Sequence, residues 1–100
     1  MSGDRDSVRV DTWLWRARFF KTRALAARAV EEGAARLARG AESRTLQKPS
    51  ALIRPGDGLT IRQDDKFYTV QVVALGARRG PASEARRLYA AAEHALDGGH

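Results

Sequence analysis

The sequence predicts an α+β domain: two short N-terminal helices meeting at a basic corner, a small antiparallel or mixed sheet, and a C-terminal helix. Three observations predict it. Apolar residues recur at helical spacing between Val10 and Val30. From Ala35 to Leu75 the pattern shortens to strand-length runs separated by turn residues. Pro81-Ala82-Ser83-Glu84 then opens a last helical pattern, with proline near its first turn.

Residues 1–7 are polar and read as a disordered lead-in. The first helix is predicted from Asp11 to Phe20, with Val10, Trp13, Leu14, Ala17 and Phe20 on one face. Asp11 suits the N-cap or first turn, where the helix dipole favours an acid, and could pair with Arg18. Trp15 and Phe19 lie four apart on the other side; packing on the last helix at Leu88 and Tyr89 is expected, with base stacking as the alternative. Thr22 is the expected N-cap of a second helix, Arg23 to Glu32, whose inward face is Leu25, Ala26, Ala29 and Val30. Gly33 is its expected stop.

Strands are expected at Ala35–Leu37, Arg44–Leu46, Leu59–Arg62 and Phe67–Leu75. Between the first two, Arg39 to Ser43 is a turn region. Arg54-Pro55-Gly56-Asp57-Gly58 is a strong turn, and Gln63 to Lys66 a hairpin loop. Gly76 to Gly80 is a basic loop, and the last helix is expected to reach about Leu96. The expected organisation is a domain over 8–76, with 77–100 a basic loop and helix packed on it.

The chain of 100 residues fits a single domain with a modest core. It has no cysteine, which excludes disulfides and thiolate metal sites. No apolar run approaches the length of a membrane span, and the N-terminus lacks the apolar core of a signal peptide. A cytoplasmic, monomeric protein with no membrane association is the expectation. The net charge is +6. Residues 1–50 hold 11 Lys/Arg against 6 Asp/Glu, whereas 51–100 hold 7 against 6. This asymmetry points to an acidic partner, nucleic acid before an anionic membrane.

The excess charge has a focus. Arg9, Arg16, Arg18, Lys21, Arg23 and Arg28 fall within twenty residues, opposed before Glu31 only by Asp11. The corner Phe20-Lys21-Thr22-Arg23 brings two cations and a hydroxyl to the positive N-terminus of a helix, a phosphate seat. The candidate RNA contacts are Arg16, Arg18, Lys21, Thr22, Arg23 and Arg28, then Arg9; Arg44 and Lys48 could extend the patch from the sheet. Arginine suits both bidentate phosphate contact and stacking on bases. The competing reading is a solvated helix face with pairs such as Arg28–Glu31 or Arg28–Glu32. Arg78 and Arg79 could touch a second phosphate or keep their loop soluble.

The order VRVDTWLW, RARFFKTRALAARAVEEG and KPSALIRPGDGLTI resembles the S4 RNA-binding domain, with its αL arrangement of helices, over about residues 8–62. Trp13-Leu14-Trp15, Arg18-Phe19-Phe20-Lys21-Thr22-Arg23, Arg78-Arg79-Gly80-Pro81-Ala82-Ser83-Glu84-Ala85 and Leu88-Tyr89 extend the resemblance to about residues 8–89 and make it closest to the bacterial heat-shock protein 15 family. That resemblance implies a cytoplasmic, non-catalytic protein bound to ribosomal RNA. In the family, the partner is a free large subunit still holding a nascent chain on tRNA, recycled under stress. The chain departs from the family at residues 37–42, which lack its Asn-Gly turn and are expected to form a longer hairpin. The alternative is an RNA-targeting accessory subunit of a separate RNA-modifying enzyme.

Catalytic and metal sites are not expected, and no cofactor is implied. His94 and His100 are isolated, and Glu31-Glu32 and Asp64-Asp65 are adjacent pairs whose side chains diverge. A P-loop, a GxGxxG run and a Ser-His-Asp arrangement are all missing.

Overall fold

The computed structural model describes residues 6–91. Residues 1–5 of the expected lead-in, the far end of the expected last helix, His94 and His100 lie outside them.

Strand β1 (Val8–Arg9) runs directly into helix α1 (Val10–Arg16), and a corner joins it to α2 (Arg23–Glu31). Then come β2 (Ala35–Arg39), β3 (Glu42–Leu46), β4 (Leu52–Ile53), β5 (Gly58–Gln63), β6 (Lys66–Val72), the one-turn helix α3 (Ala82–Ala85) and β7 (Tyr89–Ala91). Five strands form one antiparallel sheet in the order β3-β2-β5-β6-β7, while β1 pairs separately with β4. The α+β class stands as expected, with every pairing antiparallel.

Alternation in the strands decides which sheet face is covered. Ala35, Leu37, Leu46, Leu59, Ile61, Val70 and Val72 point one way and are buried. They meet Val10, Trp13, Leu14 and Ala17 from the α1 segment and Ala26 and Val30 from α2. Leu25 is an exception to the expected inward face of α2, with 46% of its surface exposed. The small Ala26 and Val30 take the contact, and Leu25 lies beside it.

Both helices end in the same motif. At α2 the Gly33 amide donates to the Val30 carbonyl and the Ala34 amide to that of Ala29, with Gly33 at φ 83°. At α1 the Arg18 amide donates to Trp15 and the Phe19 amide to Leu14, with Arg18 at φ 66°. This is a Schellman stop with arginine in the glycine position. It ends α1 at Arg16, four residues before the expected boundary at Phe20.

The hairpins are tighter than the sequence suggests. Arg39 faces Glu42 across Gly40-Ala41, so the β2–β3 loop has two residues and not a longer run. Gln63 faces Lys66 across Asp64-Asp65, which sit at φ 53° and 67°. Both are left-handed, as a type I′ hairpin turn demands, yet neither is glycine. Asp64→Asn with Asp65→Gly should therefore raise stability by about 1 kcal/mol. Urea unfolding of the double variant checks this; an unchanged or lower midpoint would show that the turn carries no strain.

The largest correction lies at the C-terminal end. The helix expected to reach Leu96 stops at Ala85, passes through a 3-10 turn at Arg86–Leu88, and becomes β7. Ala85 and Leu88 are buried, and the Leu88 carbonyl accepts from the Val73 amide at 2.8 Å. Val70, Gln71 and Val72 then pair with Ala91, Ala90 and Tyr89. The unpaired edge of β6 outweighs the helical spacing of Ala85, Leu88 and Ala92.

Candidate nucleic-acid interface

The corner follows from local chemistry. Thr22 is extended, and its Oγ1 accepts the Leu25 amide at 3.0 Å, which caps α2. The first turn of α2 holds no acid. Lys21, Thr22 and Arg23 are all exposed. Among the described residues neither cation joins an ion pair. Two unneutralised cations thus flank the positive end of a nine-residue helix.

Arg16 and Arg18, expected in the same group, have a second task. Arg16 Nη1 donates to the Gly76 carbonyl at 2.8 Å and more weakly to that of Leu75. Its Nε is buried and has no hydrogen-bond partner among the described residues. Arg18 Nε donates to the Gly80 carbonyl at 2.7 Å. Arg79 answers from the loop: its Nε donates to the Trp15 carbonyl at 3.1 Å, and its guanidinium lies 6.0 Å from the Trp15 ring centre. Trp13 Nε1 completes the clasp on the Ala74 carbonyl at 2.8 Å. The end of α1 is thereby tied to residues 74–80. The role of Arg79 in shaping the corner is not visible in the sequence beyond the basic, glycine-flanked loop. Arg78 turns away to Glu84, at 2.9 Å.

The expected Asp11–Arg18 pair does not form. Asp11 is buried in the first turn of α1 and accepts both Arg9 Nε (3.0 Å) and Arg9 Nη2 (2.9 Å). Those hydrogen bonds, then the carboxylate charge, push the Arg9 pKa further up from its ordinary value. Phe19 packs at 5.0 Å on Tyr89, the partner expected for it, although Tyr89 is in a strand. Trp15 has Arg79 over its ring instead.

The remaining candidates lie elsewhere. Arg28 is exposed on α2, and its Nε is 3.8 Å from Glu32, a loose pair of the kind expected. Arg44 and Lys48 are exposed and line one groove of about 320 Å³ with Leu46 and Ala51. That groove borders the N-terminus of α1, where the Asp11 amide donates to Pro49 and Arg9 pairs with Leu52. Arg9, Arg44 and Lys48 thus gather at one end of α1, and Lys21, Thr22 and Arg23 follow its other end. Helix α1 between them is seven residues, about 10 Å, long.

No protein-family model matches the sequence. Among solved structures, the heat shock protein 15 of Vibrio cholerae, described as trimeric, superposes with a TM-score of 0.81 at 34% identity. The match covers 93% of this chain and 89% of that one. The chain belongs to the heat shock protein 15 family. Heat shock protein 15 of Escherichia coli K12 is 46% identical over 82 residues, which are 82% of this chain and 58% of that protein. The Haemophilus influenzae homologue is 34% identical over 89 residues, 64% of its length. The chain therefore spans less than two thirds of these curated heat shock protein 15 relatives. The trimer described for the Vibrio protein lends no support to the monomer expected from sequence. No helix among the described residues is long and apolar enough to cross a membrane.

Proposed function

We propose that this chain is a non-catalytic RNA-binding protein of the cytoplasm that grips ribosomal RNA of the large subunit through the α1–α2 corner, in a rescue or recycling role under stress. The observation that carries this reading is the corner itself: Lys21 and Arg23, exposed and without acidic partners among the described residues, beside a capped helix N-terminus. Phosphate oxygens match that arrangement in charge and in hydrogen bonding. Thr22 holds the seat. Arg18 and Arg16 border it with the N–H groups not engaged by the 74–80 segment. Arg28 extends it along α2, and Arg9, Arg44 and Lys48 offer a second set of phosphate contacts. Membership of the heat shock protein 15 family supports the ribosomal partner.

Lys21→Ala with Arg23→Ala tests the seat directly, since neither side chain has a structural partner among the described residues. Arg16→Ala does not, because it also cuts the clasp. The double variant should bind large-subunit ribosomal RNA more weakly, and the slope of log affinity against log salt should fall by about 2. Equal binding at every salt concentration would remove the corner from the interface. Cosedimentation with separated subunits, with and without a nascent chain on tRNA, tests the rescue role. Retention without subunit preference would reduce the reading to general RNA binding.

A further inference from the structure

The opposite face of the five-stranded sheet has its own chemistry. Strand alternation turns Arg36, Thr45, Thr60, Arg62, Phe67 and Thr69 away from the buried core. The register sets them side by side. Arg36 lies between Thr45 on β3 and Thr60 on β5; Thr60 faces Thr69 with their hydroxyls 3.1 Å apart; Arg62 faces Phe67. Phe67 is 71% exposed, the most open of the large apolar side chains among the described residues. Arg36 is braced by Ser43 Oγ (3.0 Å) and Thr45 Oγ1 (3.1 Å), which fixes its guanidinium over the sheet. The Arg62 guanidinium has no hydrogen bond or ion pair among the described residues. Arg36, Thr45, Thr60, Arg62 and Phe67 line a shallow groove of about 430 Å³. Glu32, its one acid, is already beside Arg28.

An aromatic ring held open on a sheet, with a guanidinium opposite it and hydroxyls along the adjoining strands, matches an unpaired nucleotide segment. The ring offers a face for a base, the arginines take phosphates, and the threonines can meet 2′-hydroxyls or base edges. A duplex keeps its bases stacked and presents no free face to Phe67. A second copy placed on the same face of the first would oppose arginine to arginine. We propose that the outer face of the sheet is a second RNA surface, for single-stranded segments, with Phe67 as the stacking platform and Arg62 and Arg36 as the phosphate contacts. The proposal rests on the RNA-binding reading above but uses a separate set of residues.

Fluorescence anisotropy with labelled octauridylate tests it on the full chain. Phe67→Ala should weaken binding about fivefold or more, and Phe67→Tyr should restore it. Arg62→Ala should lower the salt slope by about 1. Lys21→Ala with Arg23→Ala, run beside them, should keep octauridylate binding while binding large-subunit ribosomal RNA more weakly. If that corner variant retains ribosomal RNA while Phe67→Ala loses octauridylate, the corner reading fails and the sheet surface stands. Absence of octauridylate binding by the unaltered protein, or equal binding by Phe67→Ala, overturns the proposal. So does a smaller sedimentation coefficient for RNA-free Phe67→Ala, which would make the face a contact between copies.

Discussion

Trp13→Ala should cost about 4 kcal/mol of stability, a large share of what a domain of this size possesses. The side chain is fully buried at the junction of helices, sheet and clasp. Its ring stands 6.1 Å from Phe19 and 6.4 Å from Tyr89, so its removal opens a cavity bordered by two other aromatics. Trp13→Phe separates packing from hydrogen bonding. It keeps an aromatic ring but leaves the Ala74 carbonyl without the Nε1 donor, for about 1–2 kcal/mol. Urea unfolding followed by far-ultraviolet circular dichroism reads both variants. Equal costs for the two would mean that the indole hydrogen bond, and not ring volume, holds the site together.

Asp57→Asn should cost about 2–3 kcal/mol at neutral pH, with the loss shrinking in acid. Asp57 is buried beneath the Arg54–Gly58 turn and accepts Arg39 Nε and Nη2 at 2.9 and 2.8 Å, together with the Arg54 amide at 2.8 Å. Burial pushes its carboxyl up, but the Arg39 hydrogen bonds and the Arg54 amide, aided by the charges of both arginines, hold it below its ordinary value. The same pairing raises the pKa of Arg39. A carboxyl depressed in the folded state adds stability above its unfolded pKa of about 3.9, and that stability is lost as pH falls through the folded value. Urea midpoints of the two proteins should differ clearly at pH 7 and draw together below pH 4. A gap that stays constant across this range would show that the carboxylate's charge is not what matters.

What could be read from sequence is what short stretches of chain decide alone. Thr22 before a helical run and Gly33 after it mark the ends of α2 because caps are local. Lys21 and Arg23 were readable as surface cations because nothing among the described residues neutralises them. The end of α1 was not readable. A Schellman stop ordinarily announces itself by glycine, and here Arg18 takes that place while its side chain is held by Gly80. Strand β7 was hidden for a related reason: Ala85, Leu88 and Ala92 keep helical spacing, and only the open edge of β6 determines where the helix gives way. The mixed role of Arg16 depends likewise on carbonyls 59 and 60 residues distant. Asp57 looked like a turn residue; its pairing with Arg39 requires the β2–β5 register, which no local pattern states.

The bonds between α1 and the 74–80 segment span 59 to 64 residues of sequence. Synthesis proceeds from the N-terminus, so the basic corner is made some sixty residues ahead of the segment that shapes its flank. Contacts of such span form only after the intervening strands have paired, because closing the loop early costs entropy that nothing yet repays. A partly made chain carries the same cations in sequence but not in position. A fixed arrangement of charge at the corner therefore waits for residues 74–80, and a nascent chain still short of them carries its cations only as a loose basic peptide does.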